Sequence, residues 1–352
     1  MAIRRAKRLT LKQVAHAIGV STATVSNAFN RPSQLSLELR EEILQSCKKM
    51  GYAGPHAESR QLRTSKTKVI AVMLSHQLSY SFSDPVANFV LQGISQVFDE
   101  PEYNILVVPS RRELQGLSGL EAFVEGFIIY GPPSQDRLNE LIYHRKAIIA
   151  IDFTLENSVS INIDNRKAAR DCAEFAFAHN PRKTAVIGLR MTKEQETKSM
   201  VDATLLDESN NIMVQRLLGF QDAALKLDHH IPDSAIWSIP DNTHFYAYEM
   251  ARYLLQRPEK PELILCMSDR IALSAMQAAH DLGFSVPQDI LITGFDGIDE
   301  GRHSVVPLTT IEQPSMEKGR AAAQIFLGQR EEENLILHAP LRVGQSCPKV
   351  ET

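Results

Sequence analysis

The sequence lacks the features that would place the chain in a membrane or direct it out of the cell. None of its apolar runs approaches the roughly 18 residues that span a bilayer, and the longest, 69–74 and 147–151, have the length of β-strands. The first residues, MAIRRAKR, lead into polar sequence without the apolar stretch, about 7 to 15 residues long, of a signal peptide. We therefore expect a cytoplasmic protein that does not contact a membrane.

Cysteine is scarce, and the common signatures of metal binding and catalysis are missing. The four cysteines lie far apart, without a C-x-x-C pair or a histidine at zinc spacing, so we expect reduced thiols and no metal site. The pair His229-His230 lies in a polar loop before Pro232, which is more typical of a surface than of a set of metal ligands. No P-loop, G-x-S-x-G, H-E-x-x-H or glycine-rich dinucleotide turn occurs. The sequence thus predicts neither a cofactor nor an enzymatic activity.

The small net charge of −4 hides an asymmetry along the chain. Residues 1–66 contain twelve Lys and Arg against four Glu, a net charge of +8, which leaves −12 for residues 67–352. A basic segment joined to an acidic one indicates that the first contacts a polyanion and that the second has another task. A basic face that is merely solvated is the alternative.

The basic segment has the start and stop signals of three short helices. The residues Thr10–Gln13 have the form of a capping box, which predicts a helix from the next residue onward, and Gly19 follows where a left-handed cap is needed. Ser21 is an N-cap for a second helix, and Ser36 is an N-cap for a third helix that reaches Met50.

The second of these helices has one apolar face and one small polar face. Val25 and Phe29 form the stripe that we expect to be buried. The residues expected to face outward are Thr22, Ala23, Ser26 and Asn27. Two short helices joined by a glycine-containing turn and braced by a third match the helix-turn-helix unit, whose second helix enters the major groove of DNA. A three-helix cap without any DNA contact is the alternative.

These helices resemble part of a known family. TLKQVAHAIGVSTATVSNAFN, then SLELREEILQSCKKMGY, then a Leu-Arg pair before a β-strand, is similar to the DNA-binding head of the lac repressor (LacI/GalR) family of bacterial transcription regulators. The resemblance implies that Thr22, Ala23 and Asn27 read bases. It also implies that residues 56–63 form a hinge helix whose Leu62 wedges into the central base step of the minor groove. By the same implication the DNA-contacting residues are Thr10, Ser21, Thr22, Ala23, Thr24, Ser26, Asn27, Asn30, Ser59, Leu62 and Arg63.

Two features of the head depart from the family pattern. Asn27 stands where the family often has Arg, so we expect a preference for adenine over guanine and carry over no operator sequence. The segment before Leu62 is about one residue longer than in the lac repressor and contains Gly54-Pro55, which shifts the hinge bounds. We expect the helix-turn-helix domain to span 1–53 and the hinge to span 54–65. Docking of Leu62 on the rest of the protein is the alternative to the wedge.

From Lys68 onward, short apolar runs alternate with helical patterns, which predicts parallel β-sheets with crossover helices. The predicted strands cover 69–74, 105–109, 126–130, 147–153, 184–189, 235–239, 263–267 and 290–295. The predicted helices cover 85–98, 166–178, 214–227, 245–255 and 271–282. These are too many strands for one small sheet. They indicate an α/β body of two lobes, with a ligand crevice outside the carboxyl ends of the strands.

The resemblance to the family extends through this α/β part. Residues 262–328 contain S-D-x-x-A-L, V-P-x-D-I, G-F-D and P-L-T-T-I, which are similar to the family's most recognisable stretch. The similarity implies a two-lobed body like the type I periplasmic sugar-binding proteins, with parallel sheets and three crossings of the chain between the lobes. The implied effector-binding and dimerisation domain covers 66–345, with lobe one at about 66–178 and 296–325 and lobe two at about 179–295 and 326–345.

The candidate effector-binding residues follow predicted strands or match positions that contact the effector in the family. They are Ser75, Asp84, Asp164, Arg216, Ser268 and Asp296. The resemblance implies an effector contact for four of them: Ser75, Arg216, Ser268 and Asp296. A carboxylate and a guanidinium together can hold vicinal hydroxyls, which suits a sugar or a nucleoside.

Several candidates have a local alternative. Asp164 and Asp269 can instead cap the helices that follow them, and Asp296 can be a turn residue. Ser268 stands where the family commonly has Asn, so the sequence does not indicate which sugar fits. The aromatic residues that can stack on a ring, each more typical of a core, are Phe220, Phe245 and Tyr246.

Together these patterns predict a sequence-specific DNA-binding regulator, usually a repressor in the family, that binds a palindromic operator. We expect a sugar or a sugar derivative in the crevice to change its DNA affinity. The tetramer-forming leucine heptads of the family are missing after Leu341, which implies a homodimer. The alternatives are a regulator with a nucleoside or purine corepressor and a solute receptor, for which the basic head has no use. A sugar-modifying enzyme would need a catalytic pair that the sequence does not offer.

Overall fold

The computed structural model describes residues 10–30, 34–50, 52, 67–109, 123–143, 146–189, 198–199 and 211–350. The chain divides into two units, Met1–Lys68 and Val69–Thr352, which are called the head and the body below. The predicted hinge residues Ser59, Leu62 and Arg63 lie outside the described part of the chain. None of the described helices is long and apolar enough to cross a membrane.

The head contains the helices that its sequence signals predict. They are α1 (Leu11–Ile18), α2 (Thr22–Asn30) and α3 (Leu37–Lys49). The capping box is present, because the Gln13 N–H donates to Thr10 Oγ1 and the Thr10 N–H donates to Gln13 Oε1. Gly19 ends α1 with a φ of 78°. Ser21 Oγ accepts a hydrogen bond of 3.0 Å from the Thr24 N–H at the start of α2. The three predicted helices are thereby confirmed.

The three helices of the head enclose a small apolar core. Val14, Val25 and Ile43, one from each helix, are fully buried. Ala28 is also fully buried, whereas Phe29 is only partly buried and packs at the edge of this core. The inward side of α2 therefore contains Ala28 as well as the predicted Val25 and Phe29, because residues three and four apart lie on one face of a helix.

Within the described residues, six parallel strands form the sheet of the first lobe of the body. They are β1 (Val69–Leu74), β2 (Asn104–Pro109), β3 (Gly126–Tyr130), β4 (Ala147–Ile151), β5 (Val159–Ile163) and β12 (Leu335–Leu337). Their order across the sheet is β12-β5-β4-β3-β1-β2. Nearly every residue of β1 is buried, as expected for a central strand that is covered on both faces.

Seven described strands form the sheet of the second lobe. They are β6 (Thr184–Gly188), β7 (Lys198–Ser199), β8 (Ile236–Ser238), β9 (Leu263–Cys266), β10 (Leu291–Asp296), β11 (Thr309–Glu312) and β13 (Leu341–Arg342). Their order is β13-β11-β10-β9-β6-β8-β7. Only the edge strands β7 and β13 run antiparallel to their described neighbours. Two parallel sheets with crossover helices confirm the predicted α/β fold.

Helices cover the faces of both sheets. The helices of the first lobe are α4 (Leu78–Ser81), α5 (Pro85–Phe98), α6 (Gln135–Tyr143) and α12 (Ser315–Phe326). The helices of the second lobe are α7 (Asn165–Phe177), α8 (Ile212–Lys226), α9 (His244–Leu255), α10 (Asp269–Asp281) and α11 (Asp299–Arg302). The five helices predicted for the body are α5, α7, α8, α9 and α10, and their predicted bounds hold to within two residues.

The described chain crosses between the lobes at three points, after β5, after β11 and after β12. The lobe boundaries that we predicted differ at each point. Helix α7 packs on α8 in the second lobe, β11 pairs with β10, and β12 pairs with β5. An apolar pattern indicates which face of an element is buried, but it does not say against which of two sheets the element packs.

Helices α5 and α12 of the first lobe cross at two glycines. A Cβ atom on Gly93 would lie 1.9 Å from the carbonyl oxygen of Met316, and one on Gly319 would lie 2.1 Å from that of Val90. Only a residue without a side chain allows two helix backbones to approach this closely. This contact explains the glycine in the middle of each helix, where glycine otherwise weakens helical structure.

Candidate functional site

A cavity of about 400 Å³ lies between the two lobes of the body. Its first-lobe wall comes from the ends of β1, β3 and β4, from α4 and from the start of α5. Its second-lobe wall comes from the start of α8, the end of β10 and the loops after β6 and β8. The polar side chains of the wall belong to Ser75, His76, Tyr80, Asp84, Tyr130, Asp152, Asn211, Arg216, Asp241, Asn242, Asp296 and Gln313. This is the predicted crevice at the carboxyl ends of the strands.

Arg216 is held rigidly in the second-lobe wall. It lies in the first half of α8 and is only 2% exposed. Its Nε donates to Asn165 Oδ1 at 3.0 Å, and its Nη1 donates to the carbonyl oxygen of Met267 at 2.5 Å. Its Nη1 also lies 3.6 Å from Asp296 Oδ1. Burial lowers the pKa of Arg216, and the carboxylate of Asp296 opposes this effect.

Asp296 ends β10 opposite this guanidinium. Its φ of 136° is unusual for a residue with a side chain. Burial raises the pKa of Asp296 to about 8, while the attraction of Arg216 opposes the rise and repulsion by Asp269 and Asp84 adds to it. Gln313 Nε2 donates to Asp296 Oδ1 at 2.7 Å. The carboxyl group is thus held in the wall of the cavity by Arg216 of the second lobe and by Gln313, which lies at the chain crossing after β11.

The hydrogen bonds of Gln313 continue into the first lobe. Its Oε1 accepts from Lys318 Nζ at 2.8 Å, and the same ammonium donates to Asp152 Oδ1 at 2.6 Å. Lys318 is fully buried in α12, and Asp152 follows β4 with a φ of 62°. A continuous polar chain therefore runs from Arg216 and Asp296 in the second lobe to Lys318 and Asp152 in the first.

The opposite part of the wall carries a carboxyl group and tyrosine hydroxyls. Asp84 accepts from the Val86 N–H at the start of α5, and burial raises its pKa. Burial and the nearby carboxyl group of Asp84 also raise the pKa of Tyr80, whose hydroxyl hydrogen-bonds to Asn242 of the second lobe. Burial likewise raises the pKa of Tyr130. Both hydroxyls therefore stay protonated at neutral pH and can bind polar groups of an uncharged ligand.

The structure brings four of the six predicted effector-binding residues to the cavity. Ser75, Asp84, Arg216 and Asp296 line it. The other two, Asp164 and Ser268, do not line it. Asp164 is exposed and caps α7, with its Oδ1 accepting from the Lys167 N–H at 2.9 Å. Ser268 is buried outside the wall and caps α10, although its Oγ donates to Asn242 Oδ1 at 2.8 Å and so supports a wall residue.

The three aromatic residues that the sequence offered as stacking partners do not line the cavity. Phe220 is fully buried in the core, Phe245 is exposed, and Tyr246 packs at the edge of a core cluster. The rings in the wall include those of His76 and Tyr80, whose centroids are 5.0 Å apart in an edge-on arrangement. These two residues follow β1, as Ser75 does, so their position after a buried strand was the signal that could have identified them.

Residues of the predicted DNA surface lie on α2 and at the helix starts of the head. Thr22 and Ala23 are exposed, and Ser26 and Asn27 are partly exposed on the same helix. This placement agrees with an outward polar face. Asn30 ends α2, and its side chain lies outside the described part of the structure.

Three further predicted DNA contacts take part in helix caps. Thr10 and Ser21 use their hydroxyls to accept backbone N–H groups at the starts of α1 and α2. Thr24 Oγ1 lies 2.7 Å from Ser21 Oγ. Thr10 and Ser21 are exposed, so each presents its hydroxyl at a helix N-terminus, where an anion such as a phosphate is favoured.

Family comparisons match both units of the chain. Residues 10–54 match a family model described as bacterial regulatory proteins of the lacI family. Residues 203–347 match one described as a periplasmic binding protein-like domain. The first match covers the three helices of the head, and the second covers most of the second lobe of the body.

Relatives and solved structures extend the similarity over nearly the whole chain. The HTH-type transcriptional regulator Rv3575c of Mycobacterium tuberculosis is 32% identical over 91% of each chain. The HTH-type transcriptional regulator IpsA of Corynebacterium glutamicum is 28% identical over 92% of each. A complex of the transcriptional regulator CelR with cellobiose has a TM-score of 0.67 at 23% identity, over 96% of this chain and 100% of that one.

The lac repressor dimer bound to operator and the anti-inducer ONPF also has a TM-score of 0.67, at 21% identity, over 97% of this chain and 100% of that one. The relatives are transcriptional regulators rather than enzymes. The chain therefore belongs to the LacI family of DNA-binding transcriptional regulators, with a helix-turn-helix head and a periplasmic-binding-protein-like body.

Proposed function

We propose that this regulator binds a palindromic operator as a homodimer and that a neutral sugar, or a sugar derivative, binds between the lobes and changes its DNA affinity. The observation that carries the proposal is the fixed pair of Arg216 and Asp296 in the wall of the cavity, 3.6 Å apart. A guanidinium and a carboxyl group at this spacing can share the adjacent hydroxyls of one ring.

The charges of the cavity support an uncharged ligand. Arg216 is next to Asp296, and Asp152 is bonded to Lys318 behind the wall. Four aspartates line the cavity, and Arg216 is the single arginine or lysine among the described lining residues, so a phosphate or carboxylate on the ligand would lie beside several carboxyl groups. The protonated hydroxyls of Tyr80 and Tyr130 add neutral hydrogen-bonding groups. Among the structures similar to this one are regulators with bound cellobiose and bound ribose, both neutral sugars.

The DNA side of the proposal rests on α2. Its exposed residues, Thr22 and Ala23, are small, which allows close approach to base edges in the major groove. Two copies of the head related by a two-fold axis would read two half-sites about one helical turn apart or a multiple of it. The net charge of +8 over residues 1–66 supports phosphate contacts whose strength falls steeply with salt.

A nucleoside or purine is the second candidate ligand, because the rings of His76 and Tyr80 lie in the cavity wall and can stack on a base. The same cavity groups would then hold the ribose hydroxyls. Competition between nucleosides and free sugars for the purified protein distinguishes the two.

The first experiment is selection and sequencing of genomic fragments bound by the full-length protein. We expect one palindromic site to be enriched, and we expect a neutral sugar to change the affinity for it in the wild type but not in Arg216→Ala. The operator part of the proposal would be wrong if no site is enriched with or without cell extract that supplies corepressors. The ligand part would be wrong if Arg216→Ala responds to the sugar as the wild type does.

A further inference from the structure

A fully buried lysine lies directly behind the wall of the cavity. Lys318 has no exposed surface, and it does not itself line the cavity. Its ammonium donates to Asp152 Oδ1 at 2.6 Å and to Gln313 Oε1 at 2.8 Å, and both of these residues do line the cavity. Burial of an ammonium costs free energy unless the group is paired and hydrogen-bonded. The positions of its two acceptors, Asp152 and Gln313, are therefore constrained together with that of the lysine.

The ammonium determines which end of the Gln313 amide faces the effector site. An ammonium can only donate hydrogen bonds, so the amide oxygen must face Lys318 and the amide nitrogen must face the other way. That nitrogen donates to Asp296 Oδ1 at 2.7 Å. With the amide turned round, its NH2 group would face the ammonium, and two donors would meet without an acceptor, so Lys318 fixes the orientation of the amide.

The same residues join the two lobes at a chain crossing. Gln313 follows β11 of the second lobe and precedes α12 of the first, and its backbone N–H donates to the carbonyl oxygen of Asp296 at 3.1 Å. Asp152 and Asp296, one from each lobe, have φ values of 62° and 136°. Such backbone conformations persist only where the surroundings hold them, and they cluster at functional sites.

We propose that Lys318 is a positioning residue for effector binding: it orients the Gln313 amide, which in turn holds Asp296 toward the ligand beside Arg216. This inference rests on the proposed sugar-binding function. It assigns a role in ligand recognition to a residue that the ligand does not touch. It also connects the effector site to α12 of the first lobe through the side chain of Gln313.

The test is a double-mutant cycle in sugar affinity. The four proteins are the wild type, Lys318→Met, Gln313→Ala and the double variant. The probe is a panel of neutral pentoses, hexoses and disaccharides that includes ribose and cellobiose, and the cycle uses the sugar that binds the wild type most tightly by calorimetry. We expect Lys318→Met to weaken binding about tenfold when Gln313 is present and less than about twofold in the Gln313→Ala background.

A structural role for Lys318 would give a different result. If Lys318 acts only by pairing with Asp152, its removal weakens binding equally in both backgrounds, and the proposed role is wrong. Because Lys318→Met leaves a buried carboxylate unpaired and can fail to fold, Asp152→Asn/Lys318→Met provides a neutral replacement of the pair. We expect this replacement to weaken sugar binding strongly when Gln313 is present and only slightly in the Gln313→Ala background. Equal losses of affinity in the two backgrounds would again exclude the positioning role.

Arg216→Ala separates this inference from the proposed function. Loss of sugar binding in Arg216→Ala with additive behaviour of Lys318 and Gln313 supports the sugar site and overturns the positioning role. If no sugar of the panel binds the wild type, the proposed sugar function is wrong, and the role of Lys318 in it is wrong as well.

Discussion

The guanidinium of Arg216 lies over the ring of Phe295, with its Cζ 3.7 Å from the ring centroid. Stacking on an aromatic face favours the flat, delocalised cation of arginine over the compact ammonium of lysine. The ring is fully buried in the core of the second lobe, so the position of the cation is set by packing as well as by its hydrogen bonds.

Arg216→Lys is expected to weaken sugar binding strongly although it conserves the charge. Arg216 uses Nε for Asn165 and Nη1 for Met267, whereas lysine has a single nitrogen and lacks the flat group that stacks on Phe295. We expect a loss of about 10-fold to 100-fold in affinity, measured by calorimetry with the best neutral sugar. Arg182→Lys is the matched control, because Arg182 is an exposed arginine of the same lobe, and it should bind as the wild type does. Equal affinities for Arg216→Lys and the control would contradict the assigned role.

The stability of the body is expected to fall as the pH rises through the range in which Asp296 loses its proton. The pKa of Asp296 is about 8 in the folded protein, raised by burial, and about 4 in the unfolded chain. The folded state therefore holds a proton that the unfolded state has released, which stabilises it at low pH. This contribution declines between pH 4 and 8 by up to about 1.4 kcal/mol per pH unit and is gone above pH 8.

Urea unfolding of the wild type and Asp296→Asn at several pH values tests this expectation. The pKa of Asp269, raised by burial to about 6, gives the same direction of change at lower pH. Burial also raises the pKa of Asp84, so the difference between the two proteins identifies the contribution of Asp296. Asp296→Asn should reduce the decline between about pH 6 and 8, and an identical slope in both proteins would show that Asp296 does not contribute to it.

Gly19→Ala is expected to destabilise the head, and Gly19→Asn is expected to do so less. A Cβ atom at Gly19 would meet no other atom within 4 Å, so the cost arises from its φ of 78° alone. Alanine disfavours this conformation by about 1 kcal/mol, whereas asparagine adopts it more readily.

Amide hydrogen exchange of the full-length protein measures this difference. Exchange in peptides of α1 and α2 should be about fivefold faster in Gly19→Ala than in the wild type and intermediate in Gly19→Asn. Peptides of the body provide the internal control. The same exchange rate for the alanine and asparagine variants would argue against strain as the cause.

Asn27→Ala is expected to reduce specific DNA binding without changing non-specific binding. An asparagine that contacts adenine in the major groove contributes about 1 to 3 kcal/mol of discrimination against the wrong base. Fluorescence anisotropy with the selected operator and with scrambled DNA measures both quantities. Gln45→Ala, which removes an exposed amide from α3, is the control. Equal losses on operator and scrambled DNA would place Asn27 against the phosphates instead.

Elements with a continuous apolar run could be predicted closely from the sequence. Strands β1 and β3 begin and end at the predicted residues, because each is a buried run bounded by polar residues. Helix α12 was missed since Gly319 interrupts its pattern, and the reason for that glycine is a contact with Val90 on another helix. Strand β13 was also missed, because it has only two residues and pairs with β11 about 30 residues earlier in the chain, so no local pattern could indicate it.

The candidate site could be predicted only in part for a related reason. A polar residue between a strand and a helix has the same sequence pattern whether it faces a ligand or caps the helix. Asp296 faces the cavity, whereas Asp164 caps α7. Lys318 was missed because a lysine within a helix normally indicates a solvated face. Its burial depends on Asp152, which lies 166 residues earlier in the chain.

The glycine crossing of α5 and α12 makes these two helices a single mechanical unit. Helix α5 begins beside Asp84 in the cavity wall, and α12 begins two residues after Gln313 at the chain crossing. Because Gly93 lies against the backbone of α12 and Gly319 against that of α5, the two helices are too closely packed for one to slide or tilt without moving the other. The first residues of both helices lie at the ligand site. A small displacement there therefore moves both helices together and displaces their last residues as well.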